Sequence, residues 1–578
     1  MKKEIKTHSF SSDWLTLFEK SNQQRSPSYK DTISYFQKFE EKTQYTKMYS
    51  FGVSPQGRDL KYIVAASKEE FTPEKAKKSG KAIILIQNGI HPGEIEGKDA
   101  CMLLLRDILV TKEKFNLLKN NILLIIPVFN VDGHERLSPF NRPNQKGPLM
   151  MGWRTTSHNL NLNRDYMKAD SPEMKAWLKL FSNWLPDFII DNHTTNGADY
   201  QYHITYGLEK KENISPYLSK WIKEKYLPYI TKNVERDGFL TTRYIEFKNN
   251  ALADGLIDYP MLPRFSTGYC AVQNRICLLV ETHSLKPFGN RVLSTKSIMS
   301  HSLDFINRNH KELINLNNKA DSDTVNYYFK KKKVLPVDFE DTGESEMVEF
   351  KGYETYDEES EVMGSKVTKY SDKAVEFRIP LYNKTRIKIA VSVPNAYLIP
   401  KEFSHLIEIL NLHGIKHKVL NSSCQFLVEK YKFTNENFSE RPYEGRQQVT
   451  FSVSPFYEKL KVPKGTYFVS TNQRTLRVIV NLLEPQSPDS FAGWGFFNSF
   501  FERKEYAEAY IMEPIAKQML KDDAKLSKEF FVKIETDENF RNNPLDRLDF
   551  FYRNSPYFDA CEKIYPIMRV HEDISNFK

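Results

Sequence analysis

Cysteine is scarce in this chain: Cys101, Cys270, Cys277, Cys424 and Cys561 are the five among 578 residues. None stands in a CxxC pair, which argues against a thiolate zinc site and leaves no disulfide framework to read. Five free thiols fit a reducing compartment without deciding it. Long apolar runs are missing too, and none approaches the roughly 18 residues of a membrane-spanning helix. The opening MKKEIKTHSFSSDW is basic but has no apolar core, so it does not read as a signal peptide. The chain is expected to be cytoplasmic, or else secreted or periplasmic with its leader already removed. A strong excess of one charge sign is also absent. The 83 Lys+Arg and 74 Asp+Glu leave a formal charge of +9. Spread along so long a chain, that is not the footprint of a dedicated nucleic-acid binder.

What is present is globular. Hydrophobic residues make up 40% and aromatics 13%, enough to build bulky cores and to exclude disorder over most of the length. The length implies two to four domains. Residues 11 to about 45 read as helical, with Ile33, Phe36 and Phe39 on one face. Strand-like apolar runs follow at Lys61–Ala66, Ala82–Gln87, Ile122–Val128, Phe188–Asp191 and Ile276–Glu281. Helical patterns lie between them at about 95–110, 171–184 and 214–232. Nearly continuous apolar strands alternating with helices predict an α/β fold, a mostly parallel sheet covered on both faces. After about residue 315 the pattern changes. Four lysines run from Lys330 to Lys333, and Glu340–Glu361 holds ten acidic residues against one lysine, which reads as a solvated linker or edge. Strand-like stretches at 374–382, 387–394, 424–433 and 447–453, with helices at 401–412 and 505–522, predict a second, β-rich α+β domain. The expected division is 1–318 and 319–578.

The chemistry concentrates at strand ends. In AIILIQNGIHPGEIEG (82–97) an apolar strand is broken by Gly89, Pro92 and Gly93 before a helix begins. His91 and Glu94, three apart, fall at this strand-to-helix corner, on the edge of an α/β sheet where ligands bind. Such a pair can converge on one metal ion. A second His-x-x-Glu, His405 and Glu408, falls inside a predicted helix and reads as surface decoration. A hydrolytic zinc site needs a third ligand, and His193 ends the short strand in DFIIDNHTTN. It also needs a base and an anion stabiliser. Glu281 terminates the apolar strand ICLLVE, while Arg154 and Arg164 lie in a Gly/Asn/Ser/Thr-rich loop.

Taken in order, His91-x-x-Glu94, Trp153-Arg154, Asn163-Arg164, His193 and Glu281 resemble the M14 zinc metallocarboxypeptidase family. SFGVSPQGRDL (50–60) and PVFNVDGHE (127–135) add to the resemblance, which covers about 45–290. It implies a carboxypeptidase-like fold for the first domain. It implies one zinc ion on His91, Glu94 and His193, with Glu281 as general base and Arg154 stabilising the oxyanion. Asn163 and Arg164 would bind the free carboxylate of a peptide or small amide substrate. The family's substrate-contacting tyrosine corresponds to either Tyr259 or Tyr269, which lie 22 and 12 residues before Glu281. PRFST followed by Gly268-Tyr269 resembles a bacterial branch of the family. The leading expectation is a zinc carboxypeptidase. The alternative is a zinc amidohydrolase acting on N-acyl amino acids, and a third reading is a binding protein on an inactive peptidase scaffold. The second domain is expected to carry no catalytic residue and to pack through aromatics such as Trp494 and Phe497.

Overall fold

A computed structural model describes residues 11–574, with Lys211 and Ala251 excepted. The basic opening segment, residues 1–10, lies outside the described residues. Strands β1 (Thr46–Val53), β2 (Asp59–Ala65), β3 (Ala82–Asn88), β4 (Asn121–Ile126), β5 (Phe188–Thr195), β6 (Ile204–Gly207) and β7 (Thr241–Arg243) belong to one sheet. After a short strand β8 (Leu256–Ile257) that pairs elsewhere, β9 (Ile276–His283) completes it in the order β1-β2-β4-β3-β5-β9-β6-β7. The central four, β4-β3-β5-β9, are parallel; β2 joins β4 and β6 joins β9 antiparallel, with β1 antiparallel to β2 and β7 parallel to β6 at the edges.

Alternation along β3 shows why the sheet is buried twice. Ile84 and Ile86 join one apolar cluster with the helix Glu96–Leu109 and the long helix Phe288–Thr324. Ile83 and Leu85 face the other way, toward Trp177 and Phe181 of the helix Pro172–Trp184. Successive strand side chains point to opposite faces, so a strand covered on both must be apolar throughout. The second cluster does not stop at the sheet. It continues into Tyr397, Val469, Phe497 and Tyr565, so both halves of the chain share one core. Trp494 lies at the same junction, under the guanidinium of Arg264 at 4.6 Å and donating to Asp489 at 3.1 Å.

The boundary expected after residue 318 falls inside the helix Phe288–Thr324, whose helical turns run on to Lys330. The polar stretch 317–323 continues that helix, with Asn317 and Ala320 turned into the core and Asp321 paired with Arg275. The lysine run 330–333 marks its end, where cations suit the negative pole of the helix. The acidic tract 340–361 is not a linker. It closes β10 (Leu335–Asp341) and forms the largely exposed β11 (Glu346–Ser360), the latter paired with β12 (Ser365–Tyr382) in a long hairpin. Lysines on the facing strand answer its carboxylates, as in Lys373–Glu354 at 2.8 Å and Lys366–Glu359 at 4.0 Å. A further six-stranded sheet and a cluster of helices over 509–553 complete the C-terminal half. No helix among the described residues is long and apolar enough to cross a membrane.

Candidate active site

The site forms where β3, β5 and β9 end side by side. Gly89 follows β3 at φ +64°, a conformation that side chains disfavour, and it swings the chain out of the sheet. The backbone N–H of Glu94 then donates to the His91 carbonyl at 2.8 Å, closing a tight turn that brings the two side chains together. Gly97 lets the next helix approach closely, because a Cβ there would lie 2.3 Å from Asn88 Oδ1. In the neighbouring parallel strands His193 and Glu281 are direct register partners. Three consecutive parallel ends therefore deliver His91, Glu94, His193 and Glu281 to one place.

The donor atoms of His91, Glu94 and His193 lie within 4.8 Å of one another, all buried. His91 Nδ1 is 3.1 Å and His193 Nδ1 3.0 Å from the same oxygen, Glu94 Oε2. The far ring nitrogens are backed by acceptors. His91 Nε2 lies 3.0 Å from Asn161 Oδ1, and His193 Nε2 lies 2.9 Å from Asp191 Oδ2. Placing each proton on Nε2 leaves each Nδ1 lone pair facing the centre, the arrangement that orients histidine ligands in metal sites. Two imidazoles and one carboxylate, with room left beside them, are the donor set of hydrolytic zinc sites. The residues present therefore fit zinc.

Electrostatics follow from burial. Burial pushes His91 down to about 4. For His193 burial acts the same way, but Asp191 and Glu94 outweigh it and raise its proton affinity well above the ordinary histidine range. Burial also opposes charge on Glu94, yet His91 and Arg142 hold its carboxyl well below the usual range. Glu281 moves in the opposite direction. Burial raises it to about 8, with Glu94 and Asp191 adding to the rise and His193 and Arg154 opposing it. Its Oε2 is buried without a hydrogen-bond partner.

A cavity of about 710 Å³ opens on this cluster, and His91, Glu94, Arg154, Glu281 and Tyr244 line it. Arg154 reaches Glu94 Oε1 at 3.2 Å with 42% of its side chain exposed. Asn163 and Arg164 do not line that cavity. Asn163 Oδ1 accepts from the Ser266 N–H at 3.2 Å. Arg164 packs over Phe265 at 4.3 Å and donates to the Tyr443 hydroxyl at 2.9 Å. Neither tyrosine singled out in the sequence reaches the cavity. Tyr269 is fully buried, its hydroxyl 2.9 Å from His413 Nδ1, because its helix points it into the core between the halves. Tyr259 borders a separate cleft of about 240 Å³ with Arg477 and Asn481.

Tyr244, Arg142 and Asp191 escape the sequence reading. Tyr244 and Arg142 come from irregular loops with no periodicity to flag them. Arg142 is buried and lies 2.9 Å from Glu94 Oε1. Asp191 carries a usable signal, since residues two apart on a strand share a face and Asp191 is two before His193.

Residues 32–236 match the family model Peptidase_M14, zinc carboxypeptidase. That segment contains every site residue discussed except Tyr244, Tyr259, Tyr269 and Glu281. Carboxypeptidase 2 of Trichophyton rubrum is 22% identical over 466 residues, covering 76% of this chain and 78% of the relative. Probable carboxypeptidase 2 of Arthroderma benhamiae is 21% identical over 457 residues, covering 75% and 79%. Among solved structures, a metallo-carboxypeptidase from Burkholderia cenocepacia is 15% identical with a TM-score of 0.37, covering 49% of this chain and 70% of that one. Residues 32–236 thus resemble the zinc carboxypeptidases of the M14 family, and the chain is similar to carboxypeptidases, which are hydrolases, over about three quarters of its length.

Proposed function

We propose that this protein is a zinc-dependent carboxypeptidase that releases the C-terminal residue of peptides. The observation that carries the reading is one cavity lined by His91, Glu94, Arg154 and Glu281 together. His91, Glu94 and His193 hold a single zinc ion, with Asn161 and Asp191 fixing the imidazoles. Zinc supplies Lewis acidity and makes water a nucleophile near neutral pH.

Glu281 is the general base. Its carboxyl lines the cavity beside His91 and Glu94 with Oε2 unpaired, placed to accept a proton from water and return it to the leaving amine. Arg154, part-exposed on the cavity wall, stabilises the negative charge that develops on the scissile carbonyl oxygen. Asn163 and Arg164 bind the terminal carboxylate, for which a guanidinium offers a two-pronged donor. Arg164 follows closely on Asn161, which backs His91, and it stays partly exposed.

The test compares N-blocked dipeptides, their C-terminal amides and N-acyl amino acids, each with and without a chelator. The expected result is chelator-sensitive cleavage of the free-acid dipeptides, with the amides resistant. Faster cleavage of N-acyl amino acids than of any peptide would replace this reading with a small-amide hydrolase.

A further inference from the structure

The active-site cavity is not built by the first half of the chain alone. Phe350, Gly352, Tyr353, Thr355, Thr368 and Tyr370 of the β11–β12 hairpin form one of its walls, in the same enclosure as His91 and Glu281. The hairpin is anchored where it crosses the site. Gln201 donates its backbone N–H to Lys351 O at 3.0 Å and its side-chain amide to Gly352 O at 2.8 Å. The Lys351 N–H donates to the Tyr202 hydroxyl at 3.0 Å. Phe350 and Leu381 share an apolar cluster with Tyr200, Tyr202 and Leu256. Segment 200–202 follows β5, the strand that carries His193, so the anchor is tied to the metal ligands through a few residues of chain.

Beyond the anchor the hairpin runs free, and Val362 at its tip is 98% exposed. A register shift lies between Tyr353 and Thr355, where the pairing resumes as Thr355 opposite Tyr370. Bulges of this kind re-aim side chains. Tyr353 stays half-buried with Lys286 Nζ 5.2 Å from its ring, and Tyr370 is 39% exposed. Large aromatic surfaces left open beside a reaction centre suit apolar contact with a ligand. A charge-based role is weaker, because facing lysines answer hairpin carboxylates such as Glu354 and Glu359.

We propose that the β11–β12 hairpin is a specificity element, with Tyr353 and Tyr370 receiving a bulky apolar side chain next to the scissile bond. This rests on the peptidase reading and assigns it a substrate class: peptides with a large apolar residue flanking the cleaved bond.

The test uses the full-length, zinc-loaded chain with Tyr353→Thr and Tyr370→Thr, singly and together, since threonine keeps strand propensity. The substrates are N-blocked dipeptides that differ only in Phe, Leu or Ala at either position. The wild-type chain should favour Phe over Ala at one position by about 10-fold or more in kcat/KM, the scale that a few methylenes in an apolar pocket provide. The double variant should bring that ratio to about 3-fold or less, while kcat on the Ala substrate changes by less than about 3-fold. No Phe preference in the wild type, an unchanged ratio in the variants, or an equal loss on every substrate would overturn the proposal. Hydrolysis of no peptide at all would overturn the peptidase reading itself, and this inference with it.

Discussion

Asp191 and His193, two residues apart on β5, turn their side chains to the same face, and Asp191 Oδ2 lies 2.9 Å from His193 Nε2. The pair is buried, with both side chains at 1% exposure or less. An acceptor behind the imidazole fixes its tautomer and strengthens Nδ1 as a donor. Asp191→Asn should therefore weaken zinc binding about 10–100-fold, read by competition with a chromophoric chelator. Unchanged affinity would mean that Asp191 has no part in orienting the ligand.

Glu281→Gln keeps the shape of the cavity and removes the carboxylate proposed as general base. The variant should bind zinc normally and lose about 10²-fold or more in kcat. KM should stay near the wild-type value, because the loss falls on the transition state. Near-normal turnover by a zinc-loaded variant would reassign the base.

Arg164→Ala separates a carboxylate clamp from a packing role. A charge-assisted bidentate contact contributes about 1.5–3 kcal/mol. KM for free-acid peptides should then rise about 10–100-fold at 1.4 kcal/mol per decade. Lysine should rescue poorly, since it lacks the fork. If free-acid and amidated peptides suffer equally, Arg164 acts through Tyr443 and Phe265 instead.

Glu173 offers a pH-dependent stability test away from the active site. It is fully buried, neither carboxyl oxygen has a partner, and burial raises it to about 7, with Asp132 and Asp165 adding to the rise. The folded chain holds this proton more tightly than the unfolded chain, whose carboxyl titrates near the ordinary 4.5. Its favourable contribution is therefore present below about pH 4.5 and lost as pH rises to about 7. Glu173→Gln should raise Tm at pH 8 and give little gain near pH 4.5, measured by thermal melts at both. An equal shift at the two pH values would rule out titration as the cause.

The cluster of His91, Glu94 and His193 is legible in the sequence for a physical reason. His91 and Glu94 follow the largely apolar β3 and His193 stands near the end of β5, and such strands align in parallel when helices cover both faces. Their ends then meet along one edge. Glu281 is legible on the same ground, as a carboxylate closing an apolar run. The glycine-broken corner 89–93 shows in the sequence because only a tight turn brings a His and a Glu three apart to one point.

Arg142 and Tyr244 belong to a different kind of information. Each reaches the site from a loop whose path is set by what it packs against, and no local pattern records that. Tyr259 and Tyr269 lie off the cavity for the same reason: distance along the chain from Glu281 says nothing of which way a ring points. The acidic tract 340–361 reads as solvated by itself, because the lysines that answer it lie on the facing strand of the hairpin.

The elements with a local signal were legible from the chain alone: the alternating strands and helices, the turn at Gly89, and the His and Glu residues near strand ends. Packing of the C-terminal half through aromatics such as Phe497 was legible too, whereas the β11–β12 hairpin on the cavity wall appears only in the folded chain. Local signals arise from backbone periodicity, within a few residues of chain. The cavity wall arises from contacts between residues as far apart as Gln201 and Gly352, which are set by the burial of apolar surface across the whole fold.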